Sequence, residues 1–296
     1  MIPDKNAALV GWTDDQWNLV LTTVTAEAQK ARLAASFLPV TGPLDATNVA
    51  VSSLILRPSG TPPGVALGAN PTTRLEVDSD PNLKIATIST LVYLRAHEIA
   101  DPDLAAGLTM FRRAANMIAR VEDAIVFDGQ TPKLGTLGTS VDIKNISWLG
   151  LLPYVARPAN AARFGANGTS VFAAVMDAIT TLEADGYFGP FACVLGSALF
   201  QSASRPDVAF VSVRDRLLPF LDGLLFRSSV IDDDAGVVIA LGSGLIEIVL
   251  ASDVNVNFVQ INTEPRWVFR LSERIALRVK DQRAVQALTF PDPATL

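Results

Sequence analysis

Asp185-Gly186-Tyr187-Phe188-Gly189-Pro190-Phe191-Ala192-Cys193-Val194-Leu195 is the stretch from which the organisation of the whole chain is read most directly. Gly186 closes a helix, Gly189-Pro190 turns the backbone, and the five apolar residues that follow form a fully apolar strand. Working upstream, the closed helix opens at Gly168-Thr169-Ser170, and Phe172, Val175, Ile179 and Leu182 recur along it at helical spacing. Working downstream, a short helix opens at Ser197, and from Leu224 onward the pattern is strand, at Val237 to Leu241, Ile246 to Leu250 and Val254 to Ile261. The last strand alternates Trp267, Phe269, Leu271, Ile275, Leu277 and Val279 with Arg266, Arg270, Arg274 and Arg278, so one face is apolar and the other basic. Arginines four apart also suit a helix face, but aromatic and β-branched partners at period two decide for a strand.

The N-terminal half holds the long helices. Thr13-Asp14-Asp15-Gln16 is a capping box, and a helix follows to about Ala34 with Trp17, Leu21, Val24, Ala28 and Ala31 on one stripe. The stripe tapers from Trp to Ala, so beyond packing on its own domain it offers a shallow surface for a partner segment. From about Val49 to Ile88, Pro58, Pro62, Pro63, Gly64, Gly68, Pro71 and Pro81 exclude any helix. Leu54-Ile55-Leu56 and Arg74-Leu75-Glu76-Val77 read instead as two strands of a ribbon, joined by seventeen residues rich in Pro and Gly. A second long helix is expected from Asp101-Pro102-Asp103 to Phe127, stopped by Asp128-Gly129. Leu104, Leu108, Phe111, Ala115, Ile118, Glu122 and Ile125 share one of its faces, which should lie across a sheet as a spine. Helices early and strands late make the fold class α+β.

Composition narrows the function classes. Of 296 residues, 49% are apolar and only 18% charged, less polar material than a self-contained soluble monomer usually carries, so part of the apolar excess is expected to meet other protein. With 24 basic and 30 acidic residues the net charge is -6, which argues against broad adhesion to nucleic acid or anionic membrane. One cysteine and one histidine exclude an intramolecular disulfide and the multi-Cys and multi-His metal sites. No signal peptide or membrane span is read, and a cytoplasmic setting is expected.

No constellation for catalysis assembles from the sequence. His97, between Arg95 and Glu98, is the sole histidine base, but no Gly-x-Ser-x-Gly elbow accompanies it, and it reads as a structural histidine. Cys193 sits among apolar neighbours that disfavour the thiolate. Asp232-Asp233-Asp234 lacks the Gly and the bidentate Glu of a calcium loop, and Gly242-Ser243-Gly244 opens no helix, so neither a metal nor a phosphate site is expected. The arginine face of the last strand is expected to ion-pair with a neighbouring subunit. An extended ribbon, a spine helix and an apolar-rich surface without convergent polar groups suit a subunit completed by its neighbours.

Four segments in order resemble the encapsulins, shell proteins formerly described as linocin-type bacteriocins. These are Trp12-Thr13-Asp14-Asp15-Gln16-Trp17 with its helix and the Gly42-Pro43 exit; Glu122-Asp123-Ala124-Ile125-Val126-Phe127-Asp128-Gly129; the 185–195 stretch; and Phe269-Arg270-Leu271 through Ile275-Ala276-Leu277-Arg278-Val279-Lys280. The resemblance implies the tailed-bacteriophage major capsid protein fold. Residues 1–48 would form the N-terminal helix and arm, 49–92 the extended loop, 93–133 with 252–296 the peripheral domain, and 134–251 the axial domain. It further implies a non-enzymatic shell subunit that self-assembles into an icosahedral cage with many copies of itself. The cage would hold a cargo enzyme, a dye-decolorising peroxidase or ferritin-like protein, through the cargo's C-terminal peptide, and would need no cofactor and no metal. The peptide groove, carried over, would use Val24, Ala28, Ala31 and Ala35 with Val256, Asn257 and Phe258, and the pore rim Asp207, Arg214 and Asp215. A prophage major capsid protein is the runner-up, and a bacteriocin or hydrolase acting through His97 is the alternative of a different class.

Overall fold

The computed structural model describes residues 9–45, 47–59, 74–78, 82–152, 168–206 and 211–288. Helix α1 (Asp14–Ala31) starts as its sequence dictates: the Gln16 N–H donates to Thr13 Oγ1 at 3.2 Å and the Thr13 N–H to Gln16 Oε1 at 3.0 Å. Val20, Val24 and Ala28 are fully buried along it. It ends three residues before the expected Ala34. Arg32 turns to extended backbone, and the next two amides, of Leu33 and Ala34, leave the helical ladder to donate to the Asp123 carboxylate at 3.0 and 2.8 Å.

Strands β1 (Val40–Thr41), β2 (Ala50–Ser52), β3 (Ile55–Ser59), β4 (Arg74–Asp78), β5 (Asn82–Lys84) and β6 (Ala86–Arg95) follow, then the single turn α2 (Ala96–Ile99) and the spine α3 (Ala105–Asp128). The ribbon is present as expected, β3 pairing antiparallel with β4 from Ile55 opposite Asp78 to Ser59 opposite Arg74, and β2 pairs with β5. The spine begins at Ala105 rather than at Pro102, because the Asp101 side chain accepts from the Asp103 and Ala105 amides and so caps from outside the helix. Its far end closes at Gly129, at φ +66°, where a Cβ would lie 2.1 Å from the Leu149 carbonyl carbon. The carbonyls orphaned there are taken up by the following segment: Leu151 and Leu152 amides donate to Val126 and Phe127, and Trp148 Nε1 to Ile125 at 2.9 Å.

The second half holds β7 (Asp142–Lys144), α4 (Gly168–Ala184), β8 (Phe191–Leu195), α5 (Ser197–Ser204), α6 (Val213–Leu217), β9 (Leu225–Arg227), β10 (Gly236–Ala240), β11 (Ile246–Ile261), β12 (Arg266–Val279) and β13 (Val285–Ala287). Two sheets organise them. The five-stranded sheet has the order β1-β11-β12-β6-β7 and carries α1 and α3 on one face; the four-stranded sheet has the order β13-β10-β8-β9, with β8 buried along its whole length. The expected boundary at 92 falls inside β6, the one at 252 falls inside β11, and β13 joins the four-stranded sheet although its residues were expected with the peripheral domain. The two apolar runs that read as separate strands are one β11, its register shifted around Ser252 and Asn255 opposite β12.

β12 has the expected alternation, with Phe269, Leu271, Ile275 and Leu277 buried. Its basic side is used differently from the expectation. Arg274 donates to the Asn48 carbonyl, and Arg278 to the Ser52 carbonyl at 2.9 Å and to Glu247 at 2.9 Å. These two arginines therefore clamp the root of the ribbon to the sheet within one chain, leaving Arg270 exposed.

Candidate functional site

The exit of α1 is where the most sequence-distant charges converge. Arg32 Nε donates to Glu122 at 2.6 Å, and its Nη2 donates to Asp253 at 2.7 Å and to Glu273. Glu122, Asp123 and Glu273 are 1%, 4% and 0% exposed. Burial pushes the Glu122 and Glu273 carboxyls up, and raises Asp123 to about 7 against the pull of the Leu33 and Ala34 amides. Reading the chain left this cluster unassigned, yet its signals are there. Glu122 lies on the apolar face of α3, and period two from Phe269 and Leu271 carries Glu273 inward with Ile275.

At the opposite end of α1 a dense aromatic group fixes the helix to the sheet. Trp12 stacks on Phe269 at 4.9 Å between ring centroids, Trp17 meets Trp12 edge-on at 5.0 Å, and Phe258 meets Phe269 at 5.6 Å. This arrangement places the expected groove residues. Val24, Ala28, Val256 and Phe258 lie in the core between helix and sheet; Ala31 and Ala35 at the helix exit are half-buried. Asn257, half-buried, alternates to the opposite sheet face, where it lies across from Arg270 and donates to Asn255 at 2.7 Å.

On the far edge of the sheet, β7 covers β6 only from Thr87 to Ser89. A cleft of about 890 Å³ opens beside the rest of that edge, beneath α3, with Leu91, Tyr93, Met110, Arg113 and Arg270 in its lining. In the other half of the chain, Arg214 and Asp215 are exposed on α6. Ser212 caps that helix, bonding Asp215 through both its N–H and its carboxylate, and Arg214 lies over the Phe200 ring at 5.8 Å. Asp207, the third expected rim residue, lies outside the described residues.

Cys193 is buried, and desolvation raises its thiol pKa far above the ordinary range. Asp232 pairs with Lys133 at 2.6 Å, while the Asp233 carbonyl accepts from the first amides of α5. Gly242–Gly244 form a single 3-10 turn between β10 and β11. His97 is exposed on α2 rather than enclosed, and the Arg95 amide donates to Glu98 at 2.7 Å beside it. Among the described residues no group of three or more His, Cys, Asp or Glu side chains is placed to hold a metal ion, and no helix is long and apolar enough to cross a membrane.

The family profile Linocin_M18, described as an encapsulating protein for peroxidase, matches residues 8–276. The chain belongs to this encapsulin family. Solved structures agree at the level of the fold. A virus-like particle from Pyrococcus furiosus superposes with TM-score 0.62 at 14% identity, covering 93% of this chain and all of that one. The capsid of Myoviridae phage XM1 matches with TM-score 0.59 at 15% identity over 87% and 91% of the two chains. The capsid of an empty GTA particle gives 0.57 at 16% identity over 88% and 89%. A comparison with curated protein sequences finds no match. The α+β fold is therefore that of the tailed-phage capsid proteins.

Proposed function

We propose that this encapsulin is a non-enzymatic shell subunit, acting in the cytoplasm, that assembles with many copies of itself into a closed icosahedral cage around a cargo enzyme. The observation that carries the reading is the match of the encapsulating-protein family over residues 8–276. The lone subunit is also incomplete in physical terms. Among the described residues its ribbon is a two-stranded sheet with no third strand, a construction marginal in isolation, and Val77 on it and Val49 at its root are 57% and 75% exposed. Burial of such surfaces at repeated contacts is what stabilises symmetric assemblies.

The family description favours a peroxidase as cargo, with a ferritin-like protein as the second choice. The cargo's C-terminal peptide would run between α1 and β11, with Ala31 and Ala35, half-buried at the helix exit, offering shallow apolar surface. Arg214 and Asp215, exposed on α6, are the candidate pore charges that would filter small molecules. No nucleic acid is expected inside, given the net charge of -6.

Negative-stain microscopy of the purified chain, co-expressed with a peroxidase bearing its natural C-terminal tail, tests the reading. Hollow particles of one size retaining peroxidase are expected. Particles filled with nucleic acid would point to the phage-capsid relatives of the fold instead, and dispersed monomers would contradict assembly.

A further inference from the structure

The joint at the exit of α1 holds one cation against four carboxyl groups. Among the described residues the charged groups facing it are Arg32 from the end of α1, Glu122 and Asp123 from α3, Asp253 from β11 and Glu273 from β12. Asp253 reaches water, its side chain 38% exposed, but the other three carboxyls do not. Arg32 engages three of the four; Asp123 instead receives the amides of Leu33 and Ala34, the first two residues beyond the helix's last cap. Glu273 Oε2 is buried without a donor.

Full ionisation of this group would leave three carboxylates shut away from water around a single guanidinium, and desolvation costs several kcal/mol per buried ion that is not fully compensated. A proton on Glu273 answers both difficulties. It removes a charge, and it turns the unpartnered Oε2 into a donor toward Glu122 beside it.

We propose that this cluster is a proton-operated latch on the N-terminal helix: protonated, it holds the α1 exit against the spine and the sheet, and deprotonated, its carboxyl groups repel one another and the exit opens. The latch does not depend on the shell reading, since every group in it belongs to one chain. Opening would be local, because the aromatic group at Trp12 and Trp17 anchors the other end of α1 independently.

The direction follows from linkage. Glu122, Asp123 and Glu273 all bind protons more tightly when docked than when hydrated, burial being the largest cause, with Asp123 at about 7. Groups raised in the docked state favour docking at low pH and lose that contribution as pH rises through the docked value. One group titrating near 7 makes docking about tenfold more favourable at pH 6 than at pH 8.

Hydrogen exchange read by mass spectrometry on the full chain tests the latch, with each pH corrected for its intrinsic exchange rate. Protection of the Leu33 and Ala34 amides and the last turn of α1 is expected to be about tenfold greater at pH 6 than at pH 8. Asp123→Asn should shrink that ratio, and D123N/E273Q should bring it close to one. Protection around Gly129 and β8 should stay independent of pH in all three proteins. If the double variant does not fold, D123N alone decides. A wild-type ratio near one, or an undiminished ratio in D123N, would overturn the proposal.

Discussion

Arg32 illustrates how one side chain can bind three distant parts of the chain at once, joining α1 to α3, β11 and β12. Arg32→Met keeps most of the apolar stem but leaves buried carboxyls without their cation, so it should cost about 3–5 kcal/mol in urea unfolding of the dissociated chain. A loss below about 1 kcal/mol would mean that protons alone satisfy the cluster. Glu247 works with the opposite sign. Burial alone would raise its carboxyl, but hydrogen bonds from Lys280, Thr41 and Arg278 outweigh that and hold it at about 2. Its stabilising contribution is full above the ordinary Glu range near 4.5 and is lost as pH falls toward 2. Glu247→Gln should therefore lower stability at pH 7 and flatten the loss between pH 4.5 and 2, as followed by thermal unfolding. At this scale the sequence is legible by parity more than by residue type. Glu122 and Glu273 occupy inward positions of a helix face and a strand face, and a carboxylate at an apolar phase announces a buried network. Which cation reaches them cannot be read from phase, because Arg32 meets them only after 90 and 241 residues of chain are folded together.

Elements are where the reading of the chain succeeds best. The capped start of α1, the spine ending at Gly129, the ribbon pairing, α4 from Gly168 and the apolar β8 all form where periodicity and breakers place them. Two differences fall where a tertiary partner competes with the local signal, Asp123 drawing two amides out of α1 and β12 holding two apparent strands in one β11, and a third is local, Asp101 capping the spine from two and four residues upstream. Gly129→Ala tests the spine's end. The backbone at φ +66° costs an L-residue about 1–3 kcal/mol even before the contact with Leu149 is relieved, and the melting temperature should fall accordingly. Arg278→Ala tests the ribbon's root. Removing its bonds to Ser52 and Glu247 should speed tryptic cleavage at Arg74 severalfold while leaving cleavage in α3 unchanged. Equal rates at all sites would show that the ribbon is held by other contacts.

For the molecule as a whole, fold and family were readable from four separated segments, because each joins a turn chemistry to an apolar pattern that few other arrangements satisfy. The peptide-groove residues were less readable. Alternation along β11 sends Asn257 to one face and Val256 with Phe258 to the other, and the tapered stripe of α1 is spent on its own core at Val24 and Ala28. What a chain buries internally and what it offers to a partner have the same periodicity, so only the packed structure separates them. The central claim, that this chain completes itself only among copies, is tested most directly by sedimentation velocity of the purified protein at micromolar concentration. A single fast boundary of megadalton mass is predicted; a folded 31.5 kDa species at every concentration would contradict the account.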